Sequence, residues 1–224
     1  MAATRWFYRR FWLPVYRRWA LWLVQRERVI RLNGMRLTVP PEVFHPGIYF
    51  STRIFIRFLK TVDFQRKKVL DVGSGSGALA LFAAQNGATA AALDINPHAI
   101  ETTRRNAAAN GLAVQCWLSD LFAAVPQQQF DHLLINPPYY PVAPKNDLER
   151  AFFAGEQLEY FQTLFARMPA FLSPGGRAWM ILSEDCNLEK IRELAACHQW
   201  RFDPVFEQKK WGERLFVFEI ASVT

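Results

Sequence analysis

The chain has 224 residues, of which 51% are hydrophobic, so its composition suits one globular domain and excludes global disorder. Its three cysteines are odd in number and lack C-x-x-C spacing, which argues against a disulfide framework and a structural zinc site. We therefore expect no bound metal and a cytoplasmic location. The formal net charge of +7 equals that of residues 1–31, which hold eight arginines and one glutamate.

This basic arm is also rich in aromatic residues, and their helical spacing predicts a helix from Pro14 to about Arg26. Arginines neutralise phosphates and aromatic rings stack on unpaired bases, so we predict that residues 1–31 contact RNA or DNA. Packing against the protein itself, a position at a membrane surface and an organelle transit peptide are the alternatives. Because no apolar stretch is long enough for a membrane span, we expect no stable membrane insertion.

The next features are a predicted hairpin around Asn33-Gly34 and, from Lys68, an alternation of strands and helices. We assign residues 1–43 to the arm and hairpin, and residues 44–224 to the main domain. Strands are predicted at 69–72, 90–93, 114–118, 132–135, 177–182, 201–206 and 214–221, and helices at 78–85, 97–109, 156–171 and 188–197. This order indicates an α/β fold with a doubly wound, mostly parallel sheet that ends in an antiparallel hairpin.

A glycine-rich turn follows the first of these strands, and we predict that Gly73, Ser74, Gly75 and Gly77 bind a cofactor. The turn alone decides little, since it also satisfies the relaxed pattern of dinucleotide-binding enzymes. Asp71 favours a cationic ligand over a pyrophosphate, and S-adenosylmethionine carries a sulfonium and an ammonium group. The alternative for Asp71 is a helix-capping acid.

Two further acids end the next two strands. Asp94 lies about 20 residues after the glycines, where an acid binds ribose hydroxyls. Its alternative role is that of a helix N-cap, for which Asn96 is better suited. We predict that Asp120 accepts a hydrogen bond from the adenine amine, with a capping role in a loop as the alternative.

The fourth strand is followed by Asn136-Pro137-Pro138-Tyr139, the Asn-Pro-Pro-Tyr motif. Two prolines fix the backbone, so the Asn136 amide oxygen and the Pro137 carbonyl become fixed acceptors for an –NH₂ group on an sp² carbon. Tyr139 offers a stacking face, and we predict that Pro138, Tyr139 and Tyr140 bind the substrate. The alternative is a rigid turn with a packing tyrosine.

With these motifs in this order, the chain resembles the class I S-adenosylmethionine-dependent methyltransferases, in the amino-methylating branch with the small methyltransferase domain. The resemblance implies a sheet in the order 3-2-1-4-5-7-6, S-adenosylmethionine as the cofactor, and Asn136 beside it. It also implies that Ser51 and Thr52, at the start of a helix, lie near the amino-acid end of the cofactor. A plain helix N-cap is their alternative role.

The same motif occurs in enzymes that methylate adenine N6, guanine N2 in RNA, or protein glutamine. The basic arm favours a nucleic acid base, and RNA over DNA, while glutamine N5 and small molecules remain alternatives. The arm is too short and too basic to be the helical N-terminal domain that the release-factor enzymes carry, and Tyr139 replaces the phenylalanine that the RNA guanine type prefers. Two other classes stay open, a nicotinamide-dependent oxidoreductase and a non-catalytic nucleotide-binding module. Residues 140–150 are expected to cover the substrate.

Overall fold

The computed structural model describes residues 26–46, 50–144, 149, 151–210 and 212–223. The helix predicted from Pro14 lies outside these residues. The elements are β1 (Arg28–Leu32), β2 (Met35–Val39), α1 (Phe50–Leu59), β3 (Lys68–Val72), α2 (Ala78–Gln85), β4 (Thr89–Asp94), α3 (Pro97–Ala109), β5 (Val114–Leu118), β6 (Phe130–Ile135), α4 (Glu159–Arg167), β7 (Leu172–Ser183), α5 (Leu188–Cys197), β8 (Trp200–Lys210) and β9 (Glu213–Ser222).

Seven strands form one sheet in the order β5-β4-β3-β6-β7-β9-β8. Strands β3 to β7 pair in parallel, whereas β9 runs antiparallel to both β7 and β8. When the seven strands of this sheet are numbered from β3 as the first, the order is 3-2-1-4-5-7-6, so the predicted fold is confirmed. The order reverses between β3 and β6, and in open α/β sheets ligands bind beyond the carboxyl ends of the strands at such a point.

Two apolar cores cover the two faces of the sheet. One face carries α1, α2, α3 and the β1–β2 hairpin, and the other carries α4 and α5. The hairpin contributes Leu37 and Val39, which are fully buried. It is also hydrogen-bonded to α3, because the Asn106 amide oxygen accepts from Thr38 N at 2.8 Å. The hairpin therefore packs as part of the main core, and the proposed division at residue 44 stays a prediction.

The structure corrects the predicted helix at 156–171 and the ends of three strands. Leu158 takes a left-handed conformation with φ of 59°, so α4 starts at Glu159. Pro169 lacks an amide hydrogen, and the chain narrows to a 3-10 turn over Met168–Ala170. The Ser-Pro-Gly-Gly sequence at residues 173–176, which is typical of a helix end, lies inside β7, and this strand begins five residues earlier than predicted. Strands β8 and β9 form a longer hairpin than predicted.

In the described ranges, no helix is long and apolar enough to cross a membrane. The same residues contain no group of three or more His, Cys, Asp or Glu side chains arranged to hold a metal ion. Cys116, Cys186 and Cys197 are free thiols.

Candidate active site

The glycine loop (residues 73–77) connects β3 to α2 and is fixed by the neighbouring strand. The amides of Gly73 and Ser74 both donate to the Leu93 carbonyl, at 3.0 and 2.9 Å. A Cβ at Gly73, where φ is 79°, would meet no atom within 4 Å, so this side of the loop is open to a ligand. Gly77 has the same φ, but a Cβ there would lie 2.8 Å from Thr103 Cγ2, so close packing on α3 requires glycine.

Two predicted members of the cofactor site are engaged within the protein. The Ser74 hydroxyl is buried and lies 3.2 Å from Thr103 Oγ1. The Gly75 amide donates to Asp94 Oδ2 at 2.8 Å. The Ser74 hydroxyl therefore helps to hold the loop on α3, and the role of Ser74 in binding a cofactor stays a prediction.

Asp71, the fourth of the five residues of β3, is only 1% exposed. Its Oδ2 accepts from the Ala80 amide in the first turn of α2 at 3.0 Å, whereas its Oδ1 is buried without a partner among the described residues. Burial raises the pKa of Asp71 to about 7, against the lowering effect of the Ala80 hydrogen bond. Asp71 thus contacts the helix start, as the capping alternative requires, and keeps one oxygen for a cationic group.

Asp94 ends β4 and holds the loops on either side of it. Its Oδ1 accepts from the Asn96 amide at 2.9 Å, and its Oδ2 binds Gly75. The N-cap of α3 is Asn96, whose side chain accepts from His98 N, so Asp94 does not cap that helix. Burial raises the pKa of Asp94 while these backbone donors lower it. A half-buried carboxylate at this edge is suitably placed for sugar hydroxyls.

Asp120 lies just past β5, at the same edge of the sheet, and its side chain is exposed. The turn that follows is held by Ser119, whose hydroxyl accepts from the Ala124 amide at 2.8 Å. In this turn Asp120 contributes its backbone carbonyl, which accepts from Ala123 N. Its carboxylate is thus accessible to an adenine amine.

The Asn-Pro-Pro-Tyr motif leaves the carboxyl end of β6, beside β3. The Asn136 amide nitrogen donates to the hydroxyls of Ser51 and Thr52, at 3.2 and 3.4 Å. Its amide oxygen accepts from the Tyr139 hydroxyl at 3.2 Å. An amide oxygen accepts two hydrogen bonds, so Oδ1 retains capacity for a substrate amine. Ser51 and Thr52 are buried in the first turn of α1, where their hydroxyls accept from Asn136, and Ser51 also hydrogen-bonds to the Tyr139 hydroxyl.

The predicted substrate residues of the motif differ in exposure. Pro137 and Pro138 are buried, Tyr139 is half-buried, and Tyr140 is 47% exposed. Burial raises the pKa of the Tyr139 hydroxyl well above its usual value, so this group keeps its proton and donates to Asn136.

The loop after the motif is tied to residues 152–154, which the sequence analysis did not single out. The amides of Tyr139 and Tyr140 both donate to the Phe152 carbonyl, at 3.0 and 2.9 Å. The Phe152 ring lies 5.9 Å from that of Phe44, and Phe44 Cβ lies 3.6 Å from the position of a Cβ on Gly75. These contacts link the motif to the glycine loop. The sequence signal for this segment was the aromatic pair Phe152-Phe153, eight residues after the last proline of the preceding loop.

The tip of the β8–β9 hairpin also comes close to the motif. Lys210 Nζ lies 4.3 Å above the Phe50 ring, directly before Ser51. The charge of the half-buried Glu213 carboxyl adds to the raised pKa of the Tyr139 hydroxyl, and burial raises the pKa of Glu213 itself. Nothing in the local sequence around Lys210 indicates this contact with α1.

The geometry fits S-adenosylmethionine. Asp71 offers an unpartnered buried oxygen, the Gly73 side of the loop is open, and Asp94 and Asp120 follow along the same edge. S-adenosylmethionine is a sulfonium amino acid joined to a nucleoside. It requires an anion near its ammonium group and acceptors for its ribose hydroxyls and its adenine amine. A pyrophosphate would meet the carboxylates instead.

Residues 34–203 match the family model of the methyltransferase small domain. The chain belongs to this family. The match confirms the resemblance drawn from the motifs. The protein is therefore a methyltransferase that depends on S-adenosylmethionine. A nicotinamide-dependent oxidoreductase is excluded.

Relatives of the chain differ in the substrate that their names state. A putative protein N5-glutamine methyltransferase of Methanocaldococcus jannaschii is 32% identical over 177 residues, which cover 74% of this chain and 87% of the relative. The ribosomal RNA small subunit methyltransferase C of Chromohalobacter salexigens is 34% identical, over 66% of this chain and 42% of its own length. The release factor glutamine methyltransferase of Deinococcus radiodurans is 33% identical, and that match covers 66% of this chain and 56% of the relative. The matches thus span about half the length of the latter two.

Among solved structures, a 16S rRNA N2 methyltransferase of T. thermophilus, in complex with AdoMet and guanosine, has a TM-score of 0.63. It is 23% identical, and the match covers 87% of this chain and 50% of that one. A likeness at this level of identity concerns the fold.

Proposed function

We propose that this enzyme transfers the methyl group of S-adenosylmethionine to an –NH₂ group on an sp² carbon. The observation that carries the proposal is the Asn136 side chain, which is held from both ends by Ser51, Thr52 and Tyr139. Its oxygen and the Pro137 carbonyl accept the two amine hydrogens. This turns the nitrogen lone pair towards the methyl group, and catalysis comes from positioning and electrostatics.

The cofactor supplies an electrophilic methyl group on its sulfonium. The substrate nitrogen forms the new N–C bond as the C–S bond breaks, and the electron pair of that bond stays on sulfur. The proton that the nitrogen then loses passes to water. We assign Asp71 to the ammonium group, Asp94 to the ribose hydroxyls, Asp120 to the adenine amine, and the backbone of residues 73–77 to the body of the cofactor.

For the substrate we favour a purine amine of RNA, either adenine N6 or guanine N2. The support is residues 1–31, whose arginines and aromatic residues suit phosphates and unpaired bases. The target base has to be unpaired or flipped out of its stack. An RNA partner and three free thiols both fit a location in the cytoplasm.

Protein glutamine is the second candidate, and the archaeal relative favours it. That match covers 87% of a protein named for glutamine methylation, so little of that relative lies outside it. The glutamine amide is also a planar –NH₂ on an sp² carbon, and Asn136 accepts its hydrogens equally well. The same geometry therefore suits both substrates, and the two candidates are distinguished by identifying the molecule that becomes methylated.

The test is transfer of labelled methyl groups from S-adenosylmethionine into total RNA, DNA and protein fractions. We expect label in RNA, recovered after digestion as an N-methylated adenosine or guanosine. Recovery of the label as N5-methylglutamine from protein would contradict RNA as the substrate and support protein glutamine. Label on carbon, oxygen or sulfur would contradict the proposed chemistry.

A further inference from the structure

The Tyr160 side chain occupies a position that its apolar surroundings do not explain. Tyr160 is the second residue of α4, and its ring packs against the core of that face, edge-on to Phe161 at 5.4 Å. Its hydroxyl oxygen is buried and has no hydrogen-bond partner in the part of the chain that the structure describes. A buried hydroxyl without a partner destabilises a protein, and phenylalanine would fill the same space without that penalty.

The backbone connects Tyr160 to the candidate active site. Its amide donates to the Ala154 carbonyl at 3.1 Å, and the Ala154 amide donates to the Tyr140 carbonyl at 2.8 Å, one residue after the motif. The start of α4 is therefore fixed against the loop that follows Tyr139.

The hydroxyl also lies within electrostatic reach of the proposed cofactor acids. Burial raises the pKa of Tyr160, and the charges of Asp94, Asp71 and Asp120 raise it further, in that order. The hydroxyl thus stays protonated and acts as a donor. In the described ranges the Tyr160 hydroxyl makes no hydrogen bond to Asp71, Asp94 or any other group, so we expect its acceptor to come from a ligand.

We propose that Tyr160 is a further cofactor-binding residue, whose hydroxyl donates a hydrogen bond to the adenosyl portion of S-adenosylmethionine. This inference rests on the proposed function for the identity of the cofactor. The adenosyl group carries ribose oxygens and adenine ring nitrogens, which are acceptors, and it would occupy the edge that the three acids line. Binding of the cofactor then provides a partner for the Tyr160 hydroxyl, which has none among the described residues.

The experiment is Tyr160→Phe, studied by calorimetry with S-adenosylhomocysteine and by thermal unfolding without ligand. Loss of one hydrogen bond predicts a Kd about tenfold higher than that of the wild type. The Tm without ligand should be unchanged or higher, because the variant removes an unpaired hydroxyl. An unchanged Kd would overturn the inference, and so would a lower Tm without ligand, which would show that the hydroxyl has a partner within the protein.

A second ligand locates the acceptor. 5′-Methylthioadenosine has the adenosyl group but lacks the amino-acid end, so Tyr160→Phe should weaken its binding by the same factor. A loss confined to S-adenosylhomocysteine would place the acceptor on the amino-acid end and overturn the assignment. If the wild type binds neither ligand, the proposed function itself fails. If the wild type binds both and the variant binds both equally well, only the role of Tyr160 fails.

Discussion

The cofactor side and the amine side of the site are held by different kinds of contact. The glycine loop is fixed by backbone amides that donate to Leu93 and Asp94 at 2.8 to 3.0 Å. The Asn136 amide is fixed by side chains alone, at 3.2 to 3.4 Å, and two of them lie on α1. The first region is thus built by the fold common to the family, whereas the second depends on individual side chains. Changes on the amine side should reduce the rate, and changes on the cofactor side should weaken binding.

The largest effect is expected for Asn136→Ala. Because the variant removes one of two acceptors for the substrate amine, we expect kcat to fall by about 10²–10³-fold while the Kd for S-adenosylhomocysteine stays the same. Single-turnover methyl transfer and calorimetry measure the two quantities. The matched control is Gln127→Ala, an exposed amide near the opposite end of β6, which should behave as the wild type. If Asn136→Ala weakened the binding of S-adenosylhomocysteine but kept the wild-type kcat, Asn136 would belong to the cofactor side of the site, contrary to our assignment.

Asp71→Asn should act on the cofactor side. The carboxylate of Asp71 is proposed to bind the cofactor ammonium, and a hydrogen bond to a charged group contributes about 1.5–3 kcal/mol. We therefore expect the Kd for S-adenosylhomocysteine to rise by about 10–100-fold at pH 8.

The pKa of Asp71 gives this prediction a pH signature. With a pKa of about 7, the carboxyl is neutral in acid and charged above neutrality, so wild-type affinity should increase as the pH rises through 7 and level off above it. The Asp71→Asn variant should lose this dependence. Calorimetry from pH 5.5 to 8.5 tests both statements, and an equal pH dependence in the variant would assign it to another group.

The double variant Ser51→Ala and Thr52→Val should have an intermediate effect. It removes both hydroxyls that hold the Asn136 amide, so we expect kcat to fall by about tenfold with an unchanged Kd for the cofactor. The resemblance predicts instead that these residues lie at the amino-acid end of the cofactor, in which case the Kd would rise. Thr61→Val, which loses a hydroxyl bonded to Phe58 O beyond the end of α1, is the control.

Deletion of residues 1–25 should leave the chemical step unchanged and alter only RNA binding. The deletion removes five arginines and retains Glu27, which pairs with Arg105 at 2.7 Å. Each lost phosphate contact on a single strand should flatten the salt dependence of RNA affinity by about 0.7 in log–log slope. An unchanged slope would show that the arm serves another purpose, either packing or a membrane surface.

The fold was predictable because most of its determinants are local. The alternation of strands and helices predicted the sheet, and the positions of Asp71, Asp94 and Asn136 at or just past the carboxyl ends of three strands placed them at one edge. The start of α4 was not predictable, because it depends on the left-handed conformation of Leu158, a residue type that rarely adopts it.

The candidate site was predictable only in part. The hydrogen bond between Asn136 and Ser51 joins residues 85 positions apart, and no local pattern encodes it. Phe152 and Tyr160 resembled ordinary core aromatics in the sequence, since their significance comes from the loop and the acids that tertiary structure brings beside them. The roles of the site residues remain predictions.

The most direct test of the account is a crystal structure of the protein with S-adenosylhomocysteine. We expect the ammonium group at Asp71, the ribose at Asp94, and the sulfur facing the Asn136 side chain, with room for one planar amine between them. A ligand bound elsewhere, or a sulfur turned away from the Asn-Pro-Pro-Tyr motif, would contradict it.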